Sequence, residues 1–167
     1  RVNVEALEAK LARAAQSWTE LLRDALTQAV GAAQGLHLAN IYGHAFPANY
    51  TETIDSAEAV SDIKLMESVA AKDAVMLNLY RPAGAKRNTL RFKVLHPMTP
   101  LPLSDVLPML EDMGLKVIDE LPHEVHPANA AMPCIMIHDF GLVTRDGENV
   151  SLDNVRDNFH EVFRRTW

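Results

Sequence analysis

Apolar positions recur three and four apart through the first ~70 residues and at every second position after that, so the chain divides by period. Leu7, Leu11, Ala14, Ala15, Trp18, Leu21, Leu22, Ala25, Leu26 and Val30 make one stripe, with Glu8, Arg13, Glu20 and Arg23 on other faces. That is an amphipathic helix, and Gly31 is its expected stop. A short helix follows around Leu36 to Ala45, carrying Leu38, Ile41 and Tyr42. Phe46-Pro47 breaks it, because proline disfavours helix in the residue ahead of it. A third helix is expected from a cap at Asp55 or Ser56 to about Ala71, with Ala59, Val60, Ile63, Met66 and Val69 in period.

Near Asp73 the spacing changes to two. Val75, Leu77 and Leu79 alternate with Met76, Asn78 and Tyr80, and Leu90, Phe92 and Val94 alternate with Arg91, Lys93 and Leu95. Each run reads as a strand, and the loop between them makes an antiparallel hairpin the default. A helix is expected from Ser104 or Asp105 to Met113, ended by Gly114, with a start delayed by Pro108. Lys116 to about Val125 and Cys134 to Val143 read as two more strands. A final helix is expected from near Ser151 through Trp167. The order is β-β-α-β-β-α. A ferredoxin-like sheet runs β-α-β-β-α-β, so the first strand here is expected to stand in for the missing last one, antiparallel beside the second. The fold class is α+β: a helical subdomain over 1–72, then over 73–167 a ferredoxin-like antiparallel sheet of four strands with helices on one face.

Composition narrows the function. The 167 residues are 48% hydrophobic and 23% charged, as in ordinary globular proteins, and carry a formal net charge of -6. An acidic chain repels phosphate backbones, so nucleic acid is not an expected partner. No apolar run approaches the ~20 residues that cross a bilayer, so neither is a membrane. With Cys134 the single cysteine, no internal disulfide can form, which suits a cytoplasmic setting. The chain begins at Arg1 without an initiator methionine, and Trp167 ends a helical pattern without a stop signal. Both ends read as internal points of a longer polypeptide.

The stretch Pro102-Leu103-Ser104-Asp105-Val106-Leu107-Pro108-Met109-Leu110-Glu111-Asp112-Met113-Gly114-Leu115-Lys116-Val117-Ile118-Asp119-Glu120 resembles the region ahead of the catalytic core in the large bacterial NAD-specific glutamate dehydrogenases. So do Ser17-Trp18 with Leu21-Leu22, Tyr42-Gly43 with Ala45-Phe46-Pro47-Ala48-Asn49-Tyr50, Ala59-Val60-Ser61-Asp62, Leu77-Asn78-Leu79-Tyr80-Arg81-Pro82 and Ile137-His138-Asp139-Phe140. In the family's order these span residues 17 to 140. The resemblance implies ACT-like modules, which are ferredoxin-like and often bind regulatory amino acids. It also implies a parent enzyme that oxidises L-glutamate to 2-oxoglutarate and ammonia with NAD, in a core outside these residues. The expected role is structural or regulatory, with other domains or subunits of the parent as partners. The alternative is an allosteric module that binds an amino-acid effector.

The residues offer little chemistry of their own. Gly31 and Gly35 follow a helix, whereas a dinucleotide turn joins a strand to a helix, and no GxxxxGK loop exists. No catalytic residue, cofactor site or metal site is therefore expected in this chain; NAD belongs to the implied parent. His123-Glu124-Val125-His126 lacks HExxH spacing, and an odd separation on a strand sends the two rings to opposite faces, so both read as surface histidines. His138 reads as satisfying a sheet-end hydrogen bond, and Cys134 as a small apolar strand residue. Arg81, Lys86, Arg87, Arg91 and Lys93 read as a solvated basic face. The ACT resemblance directs attention to the loop from His96 to Asp105, where a free helix N-terminus suits a carboxylate. The candidate effector contacts are His96, Thr99, Ser104 and Asp105. Pro97, Pro100 and Pro102 deplete backbone donors there, and the competing reading is a rigid loop that caps the helix.

Overall fold

The computed structural model describes residues 3–72, 75–97 and 103–145, together with 152, 156, 157, 160, 161, 164 and 165. They fall into two compact units, Arg1–Glu67 with Val125–Pro133 and Ser68–Glu124 with Cys134–Trp167.

The first unit is helical: α1 (Val4–Ala15), α2 (Trp18–Val30), α3 (Ala32–Tyr42), the single turn α4 (Ala48–Thr51) and α5 (Ser56–Lys72), which runs on past the unit's end. The stripe expected as one helix is two. Ser17 interrupts it because its hydroxyl accepts the Glu20 N–H while the Glu20 carboxylate accepts the Ser17 N–H. This reciprocal capping box starts a new helix where the apolar period alone would continue the old one. Gly31 ends α2 as expected, at φ 90°, and α3 begins at the next residue. The corner is so tight that a Cβ on Gly35 would lie 2.5 Å from the Thr27 Cα. Asp55 caps α5 by accepting the Glu58 N–H at 2.8 Å.

Aromatic rings fill the space between these helices. Phe46 stacks on Tyr50 with centroids 4.3 Å apart, and Trp18 meets both edge-on. The polar tips find partners as buried aromatics require: Trp18 Nε1 donates to the Ile54 carbonyl, the Tyr50 hydroxyl to Asp62 at 2.6 Å and the Tyr42 hydroxyl to Glu67 at 2.8 Å. The segment Val125–Pro133 belongs here too. Its His126 N–H donates to the carbonyl of Ala45, beyond α3, and its Ala128 N–H to that of Ile41 in the last turn of α3.

The second unit holds a four-stranded sheet: β1 (Met76–Tyr80), β2 (Thr89–Pro97), β3 (Leu115–Val125) and β4 (Ile135–Thr144), in the order β1-β2-β4-β3. β1 lies antiparallel beside β2 with Leu79 opposite Phe92, so the extra strand occupies the place of the absent last one. β2 pairs antiparallel with β4, Phe92 opposite Phe140 and Lys93 opposite Asp139. Helix α6 (Leu103–Asp112) carries Val106 and Leu110 into a core with Leu77, Leu79, Leu90, Phe92, Val94, Leu115, Phe140 and Leu142. The helical residue Leu152 packs against the same cluster. This is the expected α+β sheet with helices on one face.

α6 starts at Leu103, earlier than Pro108 suggested. Proline there forfeits only a bond to the Ser104 carbonyl, and Ser104 is exposed, so that oxygen can turn to solvent. Among the described residues no helix is long and apolar enough to cross a membrane.

Candidate functional site

Two polar clusters lie on the sheet, one on each face. Directly opposed residues of an antiparallel pair share a face. The register therefore groups His96 and His138 with the helix-backed side, and Arg91, Lys93 and Asp139 with the other.

His96, near the end of β2, is 5% exposed, and His138 of β4 is 4% exposed. Their rings stack with centroids 5.3 Å apart and planes 2° apart. His138 Nδ1 lies 2.9 Å from Glu120 Oε1 on β3. Burial, reinforced by the neighbouring His138, pushes the His96 pKa down.

On the opposite face Arg91 ties three strands together. Its Nε donates to Asp139 Oδ1 at 2.8 Å, and its Nη1 lies 3.1 Å from Asp119 Oδ1. Burial pulls the guanidinium pKa down, but the Asp139 hydrogen bond and the charges of Asp139 and Asp119 outweigh that and raise it. Asp119 also accepts the Gly141 N–H at 3.2 Å. A Cβ on Gly141 would stand 2.7 Å from that carboxylate oxygen, so a side chain there would evict it. Lys93, 1% exposed, places its ammonium 5.0 Å from the centre of the Tyr80 ring. His123 is also buried at 1%. Burial, with the positive charges of Lys93 and Arg91 and then His138, lowers its pKa to about 4.

Several sequence expectations change here. His123 is a core residue held neutral and not a surface histidine, whereas His126 is exposed. Arg91 and Lys93 are not a solvated face: one is paired to two carboxylates and the other covers an aromatic ring, which is how a charge tolerates burial. Cys134 lies just ahead of β4 with its Sγ 3.6 Å from Glu124 Oε1, and burial pushes its thiol pKa up. Of the candidate effector contacts, His96 is buried on the sheet, Ser104 and Asp105 are exposed in the first turn of α6, and Thr99 lies outside the described residues. The structure joins His96 to His138 and Glu120. The partnership of Arg91 with Asp119 and Asp139 was also not foreseen. Its signal was opposite charges inside strands expected to be neighbours, which needs the register to be read.

Chemically, both clusters are interlocked. The carboxylates of Asp119, Glu120 and Asp139 are engaged by cations, imidazole or backbone donors. That arrangement ties strands together.

Comparison with known proteins agrees with the fold. A family model described as "Glutamate dehydrogenase, ACT3 domain" matches residues 74–155, and one described as "Glutamate dehydrogenase, helical motif 2" matches 25–69. The chain is 34% identical over 165 residues to an NAD-specific glutamate dehydrogenase of Halomonas elongata, covering 99% of this chain and 10% of that protein. It is 29% identical over 157 residues to one of Pseudomonas aeruginosa, covering 94% and 10%. The chain thus spans about a tenth of the length of these curated relatives. A helical unit matching one glutamate dehydrogenase model and a sheet matching another, in one chain aligned almost end to end with such enzymes, place it: the chain belongs to the large NAD-specific glutamate dehydrogenase family, as its helical motif 2 and ACT3 segment.

Proposed function

We propose that this chain is a non-catalytic structural and regulatory segment of a large NAD-dependent glutamate dehydrogenase. It holds domains or subunits together, while NAD-linked oxidation of L-glutamate to 2-oxoglutarate and ammonia takes place elsewhere in the full protein. The observation that carries this reading is the β3 edge. β3 is 11 residues long, has a sheet neighbour on one side only among the described residues, and exposes Ile118 by 56% and Leu121 by 36%. A long edge strand with uncovered apolar side chains invites another strand or subunit. The interlocked clusters support the same reading, since they stiffen the sheet.

Light scattering and sedimentation of the 167-residue chain test it. Self-association or capture of other parent domains is expected, and an Ile118→Lys, Leu121→Lys variant should weaken it at least tenfold. A wild-type chain that stays monomeric at millimolar concentration and binds no other parent domain would sink the assembly role. Calorimetry with a panel of amino acids checks the regulatory alternative. Saturable heat abolished by Asp105→Ala would replace assembly with effector binding as the main function.

A further inference from the structure

The sheet has two edges, and the second is treated differently from β3. In an antiparallel ladder alternate residues turn their N–H and C=O away from the neighbouring strand. Leu79 of the edge strand β1 is one of these, and both of its outward groups are taken. Its N–H donates to His160 Nε2 at 3.0 Å, and its carbonyl accepts from Arg156 Nε at 3.1 Å. Arg156 and His160 are helical residues four apart, the spacing that puts two side chains on one helix face. The His160 ring also lies 6.3 Å from the ring of Phe92, the residue opposite Leu79 on β2. Helical Leu152 packs on the core beneath the same sheet.

We propose that His160 is a proton-controlled latch that, with Arg156, closes the β1 edge against strand addition and opens it when the imidazole is protonated. The chemistry follows from the donor inventory. A neutral imidazole with its proton on Nδ1 presents Nε2 as an acceptor to the Leu79 N–H; an imidazolium presents a donor there, and two donors then face each other. A guanidinium does not titrate in the physiological range, so only the His160 arm of the clamp switches. Most of the influences on His160 act in one direction. Burial and the charges of Arg164 and Arg156 hold its pKa below the ordinary histidine range, and Asp157 opposes them. β1 faces the ring with the Leu79 peptide, and β2 faces it with the Phe92 ring.

The sign is set by that lowering. The latched state disfavours the proton relative to the released state. Latching is therefore complete above the ordinary histidine pKa and is lost as pH falls through the lower, latched value. Released, β1 offers its outward Leu79 N–H to another strand, while Arg156 still holds the carbonyl.

Amide hydrogen exchange at Leu79 in the 167-residue chain reads the latch directly, once corrected for the intrinsic pH dependence of exchange. The Leu79 protection factor should be flat above the ordinary histidine pKa, fall by up to about tenfold per pH unit between that value and the latched one, and level off below it. In His160→Gln, whose amide oxygen accepts without titrating, it should stay flat; in His160→Ala it should be low throughout. A wild-type protection factor independent of pH down to about 4, or one falling in parallel in His160→Gln, overturns the proposal. Nitrogen chemical shifts of His160 in the unmodified chain give a check that needs no variant. The Nδ1–H tautomer is required at neutral pH, and finding the proton on Nε2 ends the idea.

Discussion

His123 shows how one side chain ties stability to pH. Its ordinary pKa near 6.5 drops to about 4 in the folded chain. The unfolded chain therefore binds a proton between those values while the folded chain does not. The stability this site contributes is fully present above about pH 6.5 and is lost as pH falls toward 4, by up to ~3 kcal/mol for a single site. His96 is shifted the same way and adds to the trend. Urea unfolding of wild type and His123→Met at pH 7 and pH 4.5 isolates the term. Relative to wild type, the variant should gain roughly 2–3 kcal/mol at the lower pH. A stability difference that does not move with pH would show that His123 is not neutral by compulsion. This could not be read from the sequence. His123 follows Leu121-Pro122 in a strand whose other members are mostly exposed, and only its burial in the folded chain, with Lys93 and Arg91 placed beside it, explains why it stays uncharged.

At the scale of elements, the apolar period located the four strands, α3, α5 and α6 to within a few residues, but it joined α1 to α2 and passed over the single turn α4. The strands were legible because alternation at Leu77/Leu79, Leu90/Phe92/Val94 and Ile135/Ile137 reports a pleat directly. The break between α1 and α2 was legible too, though period alone hid it: Ser17 and Glu20 form the S-x-x-E pattern ahead of an apolar run, which starts a helix whatever the stripe does. What sequence did not disclose is how closely the helices meet. Gly35 reads as a poor helix former, yet α3 crosses α2 at that point with no room for a methyl group. The contact is with backbone, which cannot rotate aside as a side chain would. Gly35→Ala should therefore cost roughly 1–3 kcal/mol by overpacking, although alanine has the higher helix propensity. Chemical denaturation decides the matter, and a neutral or stabilising Gly35→Ala would refute the close crossing.

For the whole molecule, the order β-β-α-β-β-α was enough to anticipate the sheet β1-β2-β4-β3, because the hairpin supplies the neighbour that a ferredoxin-like sheet otherwise receives from its last strand. The connection between β3 and β4 was not anticipated. Residues 126–133 read as a loop of the second half, but their backbone serves the helical unit. A helix leaves its last carbonyls without internal partners, and the Ala128 N–H supplies one to Ile41 at 2.8 Å. Ala128→Pro removes that donor and should cost roughly 1–3 kcal/mol. Faster amide exchange is expected in the last turn of α3 than in β2. Unchanged stability and exchange would mean that the segment is a passenger of the sheet instead.

The linear order of residues determined the two periods, the capping and stopping residues, the strand count and the family, because each rests on neighbours within a few positions or on a string of them. Tertiary structure alone decided which buried charges are matched, which histidines are denied a proton, where two helices touch backbone to backbone, and which edge of the sheet is closed. Those outcomes depend on register and on groups tens of residues apart, such as Arg91 with Asp139 or Leu79 with His160. Electrostatic and steric energies follow distance in space, and the spacing of letters carries no such distance until the chain has folded.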